Sequence, residues 1–326
     1  MDFASLHEGY TEEAVRLALA ACGAERRHVA ALDERADARD YREALTRGIR
    51  ELFIHGTGVG AFEGGRMVGY LGFWSGLNGQ FGEVVGSYSP LHGNAFAGEP
   101  EKLASRLFQL AAEEMAGQGI GSYALTVYAH EAEVTRALAL NGFGIRCADA
   151  IRLVDTPLSL LPQADDRWLF AELAPADAAE ILPLKNKLIQ HLRRSPVFFA
   201  CEEEQEADFL DLCRKRQSRF FVARKAGTDA ISGYMELTAN GENFLTEAPD
   251  MMNICGAYLE ESERGGGVFT GLLAHVLTTL KSEGVKRLGV DCETLNPTAR
   301  YFWGKHFVDY TYSFCRRIDE RAMRYL

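Results

Sequence analysis

The chain repeats itself, and no other feature limits its possible folds as tightly. Gly69-Tyr70-Leu71, in an alternating apolar run, reappears 164 positions later as Gly233-Tyr234-Met235. Gly86-Ser87-Tyr88 returns 170 positions on as Gly256-Ala257-Tyr258. The helical stretch 107–120, ending in Gln118-Gly119-Ile120, matches 272–285, ending in Glu283-Gly284-Val285, at a spacing of 165, and Phe143 matches Phe307 at 164. Four matches in one order at nearly constant spacing indicate a tandem duplication, so the chain folds as two copies of one architecture. Its 326 residues agree with about two domains of roughly 150 residues each. Asp155-Thr156-Pro157 breaks an apolar run and Pro162-Gln163-Ala164-Asp165-Asp166 is polar and turn-rich. We therefore expect a first domain over 1–155, a linker over 156–165 and a second domain over 166–326.

Each half carries the same order of elements. In the second, 168–173 reads as a strand, 176–193 and 202–216 as helices, and 220–224, 231–239 and 251–259 as strands. Leu272, Leu273, Val276, Leu277 and Leu280 then form one apolar face of a helix over 267–282, which Gly284 ends as a C′ glycine. A strand over 287–291, a helix over 297–305 and a last strand over 310–317 close the half. Strands punctuated by helices predict a mixed α/β fold in each half, a central sheet flanked by helices.

The most informative segment runs from Ala257, Tyr258 and Leu259 through Arg264, Gly265, Gly266, Gly267, Val268, Phe269 and Thr270. A buried strand enters three glycines and then an amphipathic helix. Backbone N–H groups converge there with the positive end of the helix dipole behind them, which makes an anion site. Glycine lets the backbone approach a phosphate closely. The mononucleotide and dinucleotide fingerprints both fit poorly, because no G-K-[ST] follows and Thr270 occupies the third glycine position of G-x-G-x-x-G.

The segment resembles the GNAT superfamily of acyl-CoA-dependent N-acetyltransferases, whose R/Q-x-x-G-x-G/A motif follows a strand and opens a Leu-rich helix. Arg264 and Gly267 match, and Phe269 stands where Gly or Ala is usual. A second family motif, N-x-x-A with an aromatic end, lies downstream as Asn296, Ala299 and Trp303. The resemblance implies two tandem GNAT-like domains, each with a mixed, mostly antiparallel sheet. It implies acetyl-CoA as co-substrate, with the pantetheine arm along Ala257, Tyr258 and Leu259 and the pyrophosphate at the amides of 265–270. It also implies that the strand at Ala257–Leu259 splits from its neighbour there.

The first half departs from these motifs. The helix register sets Glu99, Pro100 and Lys102 opposite Arg264, Gly265 and Gly267, and Glu131 stands near Asn296. A carboxylate and a proline suit a helix start but repel or withhold from a phosphate. The spacing change from 170 to 165 places five extra residues in that loop. Residues 89–94, with a Gly-Asn turn, offer an alternative nest. We expect a degenerate first copy and one cofactor site, in the second.

Family members commonly carry a Tyr seven residues after the motif Asn to protonate the leaving sulfur, and here that position is Trp303. Tyr258, Tyr310 and Tyr312 are the other candidate acids, and Glu236 is a candidate base beside Asp291, Glu293 or a water chain. Lys185, Lys187, His191, Arg193 and Arg194 either meet an acidic acceptor or form a solvated face. Cys255 and Cys292 read as structural thiols. The acceptor implied is a small-molecule or peptide amine. A non-catalytic acetyl-CoA-binding or protein-interaction module is the alternative. The net charge of −11 disfavours nucleic acid as a partner. Histidine spacing supports no metal site, and no membrane span or signal peptide is indicated. Seven cysteines without a C-x-x-C pair indicate free thiols and a cytoplasmic protein.

Overall fold

The structure, a computed structural model, describes residues 1–32, 39–79, 82–158, 166–241 and 243–325. The chain runs β1 (Asp2–Ser5), α1 (Thr11–Glu25), α2 (Arg39–His55), β2 (Thr57–Glu63), β3 (Arg66–Gly79), β4 (Gly82–Ser89), β5 (Asn94–Phe96), α3 (Pro100–Gly117), β6 (Ser122–Tyr128), α4 (Ala132–Leu140) and β7 (Gly144–Leu153). It continues through β8 (Trp168–Glu172), α5 (Leu182–Arg193), α6 (Glu206–Arg216), β9 (Arg219–Lys225), β10 (Ile231–Thr238), β11 (Met251–Leu259), α7 (Val268–Ser282), β12 (Arg287–Glu293), α8 (Pro297–Trp303) and β13 (Val308–Arg317). Of the expected linker, residues 159–165 lie outside the described residues. No helix among the described residues is long and apolar enough to cross a membrane.

Two compact units result. The first comprises Met1–Asp149, Asn243–Leu245 and Asp309–Leu326, and the second Ala150–Glu242 and Thr246–Val308. The first has strand order β1-β2-β3-β4-β6-β13 and then the first part of β7, residues 144–149, with β5 against β3. Val15, Leu45, Ile49 and Tyr70 pack on one face of its sheet, and Leu107, Phe108, Leu125 and Phe314 on the other. The second has the order β12-β11-β10-β9-β8. There the expected stripe of α7, with Leu272, Val276 and Leu280 fully buried, meets Phe221, Met235 and Leu288. Leu184 and Phe209 cover the other face against Phe220, Val222 and Tyr234. Alternation along β9 and β10 sends neighbouring side chains to opposite faces. Both sheets are mixed. The β4–β6 and β11–β12 pairs are parallel, and β2–β3, β9–β10 and β10–β11 are antiparallel.

Three differences from the sequence reading have physical causes. The helix expected over 176–193 begins as a 3-10 turn, Pro175–Ile181, because Pro183 suits only the first turn of α5. The helix expected over 202–216 starts at Glu206, so its first-turn acids are Glu206 and Asp208, opposite Arg214, Lys215 and Arg216 in the last turn. The largest difference concerns the last strand. Expected to complete the second half, β13 pairs antiparallel with β6 in the first unit, from Thr311↔Tyr128 to Arg317↔Ser122. It is held there by Phe314, 1% exposed in that unit's core, and by Thr311 Oγ1 donating to Asp149 Oδ2 at 2.6 Å.

Replacing Phe314 therefore acts on the first unit. Phe314→Ala is expected to destabilise it by about 3–5 kcal/mol, the usual cost of emptying a buried aromatic site. Hydrogen exchange should accelerate in β4 and β6 while α7 and β12 keep their protection. Faster exchange in α7 instead would assign the strand to the wrong unit.

Candidate functional site

β11 and β12 run parallel for only four residue pairs, Met251↔Arg287 to Ile254↔Val290. Beyond Ile254 a register shift opposite Glu236 and Leu237 marks a bulge, and Gly256–Leu259 continue against β10 alone. The two strands thus diverge where the resemblance implies a split. The Glu260 amide donates to Ser232 on the β10 side at 2.9 Å, so by alternation the N–H and C=O groups of Ala257 and Leu259 face the open side.

The strand then passes Arg264 into the glycines. Gly265 and Gly267 hold φ of 84° and 80°, a left-handed conformation that other residues adopt at a cost. Gly267 is the N-cap of α7 and offers no side chain, and no acid occupies the first turn. Gly271 makes the first intrahelical bond, to the Gly267 carbonyl at 2.9 Å, so the amides of Val268, Phe269 and Thr270 have no helical acceptor. Arg264 donates through Nε to the Leu259 carbonyl at 3.1 Å and lies 5.5 Å over the Tyr258 ring.

Strand, loop and helix start border one cavity of about 290 Å³. Ala257, Tyr258, Leu259, Arg264, Gly265, Gly267, Val268, Phe269, Thr270, Asn296, Ala299 and Trp303 all line it; Gly266 does not. Phe302, from the aromatic end of the Asn296 motif, lines it too, and so do Leu188, His191, Thr298 and Lys305, which no motif marked as cavity residues. Thr298 and Phe302 were reachable from their spacing on α8, whereas Leu188 arrives from α5 only through folding. Asn296 Oδ1 caps α8 at the Ala299 amide and meets His191 Nε2, both at 3.4 Å. Phe269, Phe302 and Trp303 form one aromatic cluster, with ring centroids 4.8–5.9 Å apart. Trp303 is buried, and Tyr301, 65% exposed, points elsewhere.

The other candidates are dispersed. Glu236 does not line the cavity. It is buried behind Gly256, where it accepts from Ser218 Oγ at 2.8 Å and from Lys185 Nζ at 3.4 Å. A Cβ at Gly256 would come within 2.9 Å of its Oε2. Burial pushes the Cys255 thiol far up, which keeps it inert. Tyr310 and Tyr312 lie on β13 in the first unit. The Tyr310 hydroxyl accepts from Asn243 Nδ2 at 2.9 Å, and the Tyr312 hydroxyl donates to Asp309 at 3.0 Å. Only Tyr258 of the tyrosines proposed as acids lines the cavity. Among the described residues no group of His, Cys, Asp and Glu is placed to hold a metal ion.

Residues 186–307 match the model of the Acetyltransferase (GNAT) family. This C-terminal region therefore carries a GNAT acetyltransferase domain, of a family that uses acetyl-CoA as co-substrate and acts on amine acceptors. The fold of the whole chain is similar to that of a GCN5-related N-acetyltransferase from Sphaerobacter thermophilus, at 15% identity and a TM-score of 0.60, covering 97% of this chain and 95% of that one. It is also similar to a GCN5-related glucosamine N-acetyltransferase region of a fungal multi-domain GH3 β-N-acetylglucosaminidase, at 13% identity and a TM-score of 0.51, covering 96% of this chain and 38% of that one. A tandem GNAT protein from the clavulanic acid biosynthesis pathway matches at 16% identity and a TM-score of 0.44, over 97% and 98% of the two chains. No curated protein matches the chain in sequence.

The first unit builds the corresponding place differently. Its β4–β6 register, Gly86↔Ser122 to Ser89↔Leu125, makes Gly86 the counterpart of Met251, so the match of Gly86 to Gly256 is not a structural one. The counterpart of the diverging segment is β5, which pairs with β3 as Leu71↔Asn94 just as Met235 pairs with Ala257. Asn94 thus stands where Ala257 does. It is buried, and its Nδ2 bonds across to the Thr126 carbonyl of β6 at 2.9 Å and to Ser89 Oγ at 3.2 Å. Residues 89–94 are therefore occupied with their own contacts and form no open nest. With Gly86 opposite Met251 the spacing is 165, the same as between the helices, so the five extra residues expected in the first half are not there, and its loop to the helix is the shorter one. That loop is 97–99, against 260–267, because α3 starts at Pro100 and takes the residues opposite the glycines into its first turn.

Glu131 is the N-cap of α4, as Asn296 is of α8, but makes no side-chain cap bond. Burial and the Glu25 carboxylate push its carboxyl up to about 8. A glutamate that titrates near 4.3 unfolded and near 8 folded binds its extra proton in the folded state, so its contribution to stability is full below about 4.3 and lost as pH rises to about 8. Glu131→Gln should accordingly raise the Tm of the first unit more at pH 8.5 than at pH 5. An equal change at both pH values would contradict the burial of this carboxyl.

Proposed function

We propose that the second unit binds acetyl-CoA in the 290 Å³ cavity and catalyses transfer of its acetyl group to a primary amine of a small-molecule or peptide acceptor. The observation that carries this reading is the open edge of β11 running directly into an uncapped helix start. The backbone groups of Ala257 and Leu259 would pair with the pantetheine arm, although the Leu259 carbonyl is already engaged by Arg264. The amides of Val268, Phe269 and Thr270, the loop glycines and the Arg264 charge would hold the pyrophosphate. A chain of net charge −11 has little long-range attraction for an acidic cofactor, so these local donors decide binding. The first unit, with Asn94 across its cleft and a helical turn in place of the glycines, is read as a copy without a cofactor site. The seven free cysteines fit a reducing, cytoplasmic setting.

When bound, the co-substrate supplies an acyl group on a thioester: the N–C bond to the amine forms as the C–S bond breaks, sulfur takes up one proton and, from an ammonium, one more is released to solvent. The chain positions the reactants and supplies a proton. Tyr258 is the residue assigned to that proton. It lines the cavity, and burial together with Glu260 raises its hydroxyl, which keeps it protonated at neutral pH. Glu236, outside the cavity, acts as a positioning residue that ties Lys185 of α5 to the back of β11. The Trp303 side chain in the place of the usual tyrosine favours a second reading, a non-catalytic acetyl-CoA-binding module.

Calorimetric titration with acetyl-CoA tests the common premise. Gly267→Ala is expected to weaken binding at least about tenfold, since a Cβ at positive φ costs about 1–2 kcal/mol and displaces the amides behind it. Gly117→Ala, with nothing within 4 Å of the new Cβ, is the control. Wild-type affinity in Gly267→Glu would remove the site. Thiol release across a panel of amines then separates the two readings. Turnover that falls about a hundredfold or more in Tyr258→Phe at unchanged acetyl-CoA affinity supports the enzyme. Tight binding without turnover on any amine supports the module.

A further inference from the structure

Four cations stand on α5 or at its end, and three are neutralised at home. Lys185 reaches Glu236 at 3.4 Å and Glu204 at 4.0 Å, Lys187 pairs with Glu260, and Arg193 reaches Glu203 at 3.3 Å. Arg194 has no carboxylate within ion-pair distance among the described residues. Its backbone is nonetheless fixed, because its carbonyl accepts the amides of Val197 at 3.1 Å and Phe198 at 3.0 Å. Arg194 is exposed, and its guanidinium projects from this anchored backbone without a carboxylate of its own, which leaves it available to a carboxylate or phosphate.

Arg194 faces a cavity. Lys187, Gln190, His191 and Arg194 recur at helical spacing and line one wall of a polar cavity of about 380 Å³. Tyr258, Glu260, Glu261 and Ser262 make the other wall. His191 and Tyr258 also line the 290 Å³ cavity, so the two spaces share a wall there, at the tyrosine proposed as the proton donor. On the opposite wall, Glu261 has among the described residues one distant ion-pair partner, Arg264 at 3.9 Å. A purely anionic ligand would meet Glu260 and Glu261. A simple cationic amine would leave Arg194 unmatched. A molecule carrying both charges satisfies both walls.

We infer that the acceptor is a small amine with a free carboxylate, an amino acid or amino-acid-like zwitterion, its carboxylate on Arg194 and its amino group at the wall shared by His191 and Tyr258. The inference rests on the acetyl-transfer reading above and specifies its substrate class. The carboxylate sets orientation, while the ammonium enters against Glu261 before giving up its proton.

The test uses the full chain. Acetylation rates are measured on the twenty proteinogenic amino acids and, for the best of them, on its amide and its decarboxylated amine. The free acid is expected to exceed both in kcat/KM by about tenfold to a hundredfold, the usual weight of one charge-assisted pair. Arg194→Ala should collapse that preference towards one, mainly through KM, with Arg194→Lys recovering part of it. The acetyl-CoA dissociation constant should change less than twofold. A preference that survives Arg194→Ala overturns the inference. So does a weakening of acetyl-CoA binding in Arg194→Ala that disappears with dephospho-acetyl-CoA, which would assign Arg194 to the cofactor's 3′-phosphate. Absence of acetyl-CoA binding to the wild type would instead overturn the parent reading.

Discussion

The site depends on two parallel strands that part company. β11 and β12 share a ladder only as far as Ile254 and Val290, and the bulge that follows turns the next residues out of register with their neighbour. A strand edge inside a fold leaves backbone donors and acceptors unpaired, and leaving them so is costly unless water or a ligand meets them. The first unit meets the same demand with its own chain: Asn94 spans the gap and bonds to the Thr126 carbonyl. The second has Ala257 at that point, too small to reach across, and the cavity remains. Asn94 against Ala257, together with the helical turn that takes the place of the glycines, therefore distinguishes the two clefts.

The divergence is supported from behind. Glu236, 2% exposed, is a charge that the interior tolerates only with partners, and Ser218 and Lys185 provide them. Removing one member of such a buried pair typically costs about 3–5 kcal/mol. Gly256 is part of the same arrangement, since any side chain there would enter the space of the carboxylate. The cluster binds α5 to β10 and β11, and α5 in turn brings Leu188 and His191 to the cavity and Arg194 to its polar neighbour. Residues far from the glycines thus shape both cavities.

Much of this was legible in the sequence. The glycine loop, the stripe of α7 and the Asn296 helix start are local, because each depends on residues within a few turns of one another. The repeat was legible in outline and misleading in one detail. Gly86-Ser87-Tyr88 and Gly256-Ala257-Tyr258 look alike, yet the ladders pair Gly86 with the residue opposite which Met251 would sit. A three-residue likeness carries less register information than two neighbouring strands, and the odd spacing of 170 among values near 165 was its only warning. Tyr310 and Tyr312 do not line the cavity for a related reason, since their place depended on which sheet received the last strand.

Taken by itself, the sequence determined that the chain is a duplicated α/β protein and that its second copy carries a glycine-rich loop between a strand and a helix start. These follow from periodicity and glycine conformation, both of which act over short distances along the chain. The tertiary structure alone decided that β13 completes the first unit, that Asn94 bridges one cleft where the other has Ala257, and that among the described residues Arg194, at the end of α5, has no carboxylate partner. Strand partners and ion pairs are chosen among chemically similar alternatives, and two copies of one fold present the same alternatives twice, so only the packed arrangement selects between them.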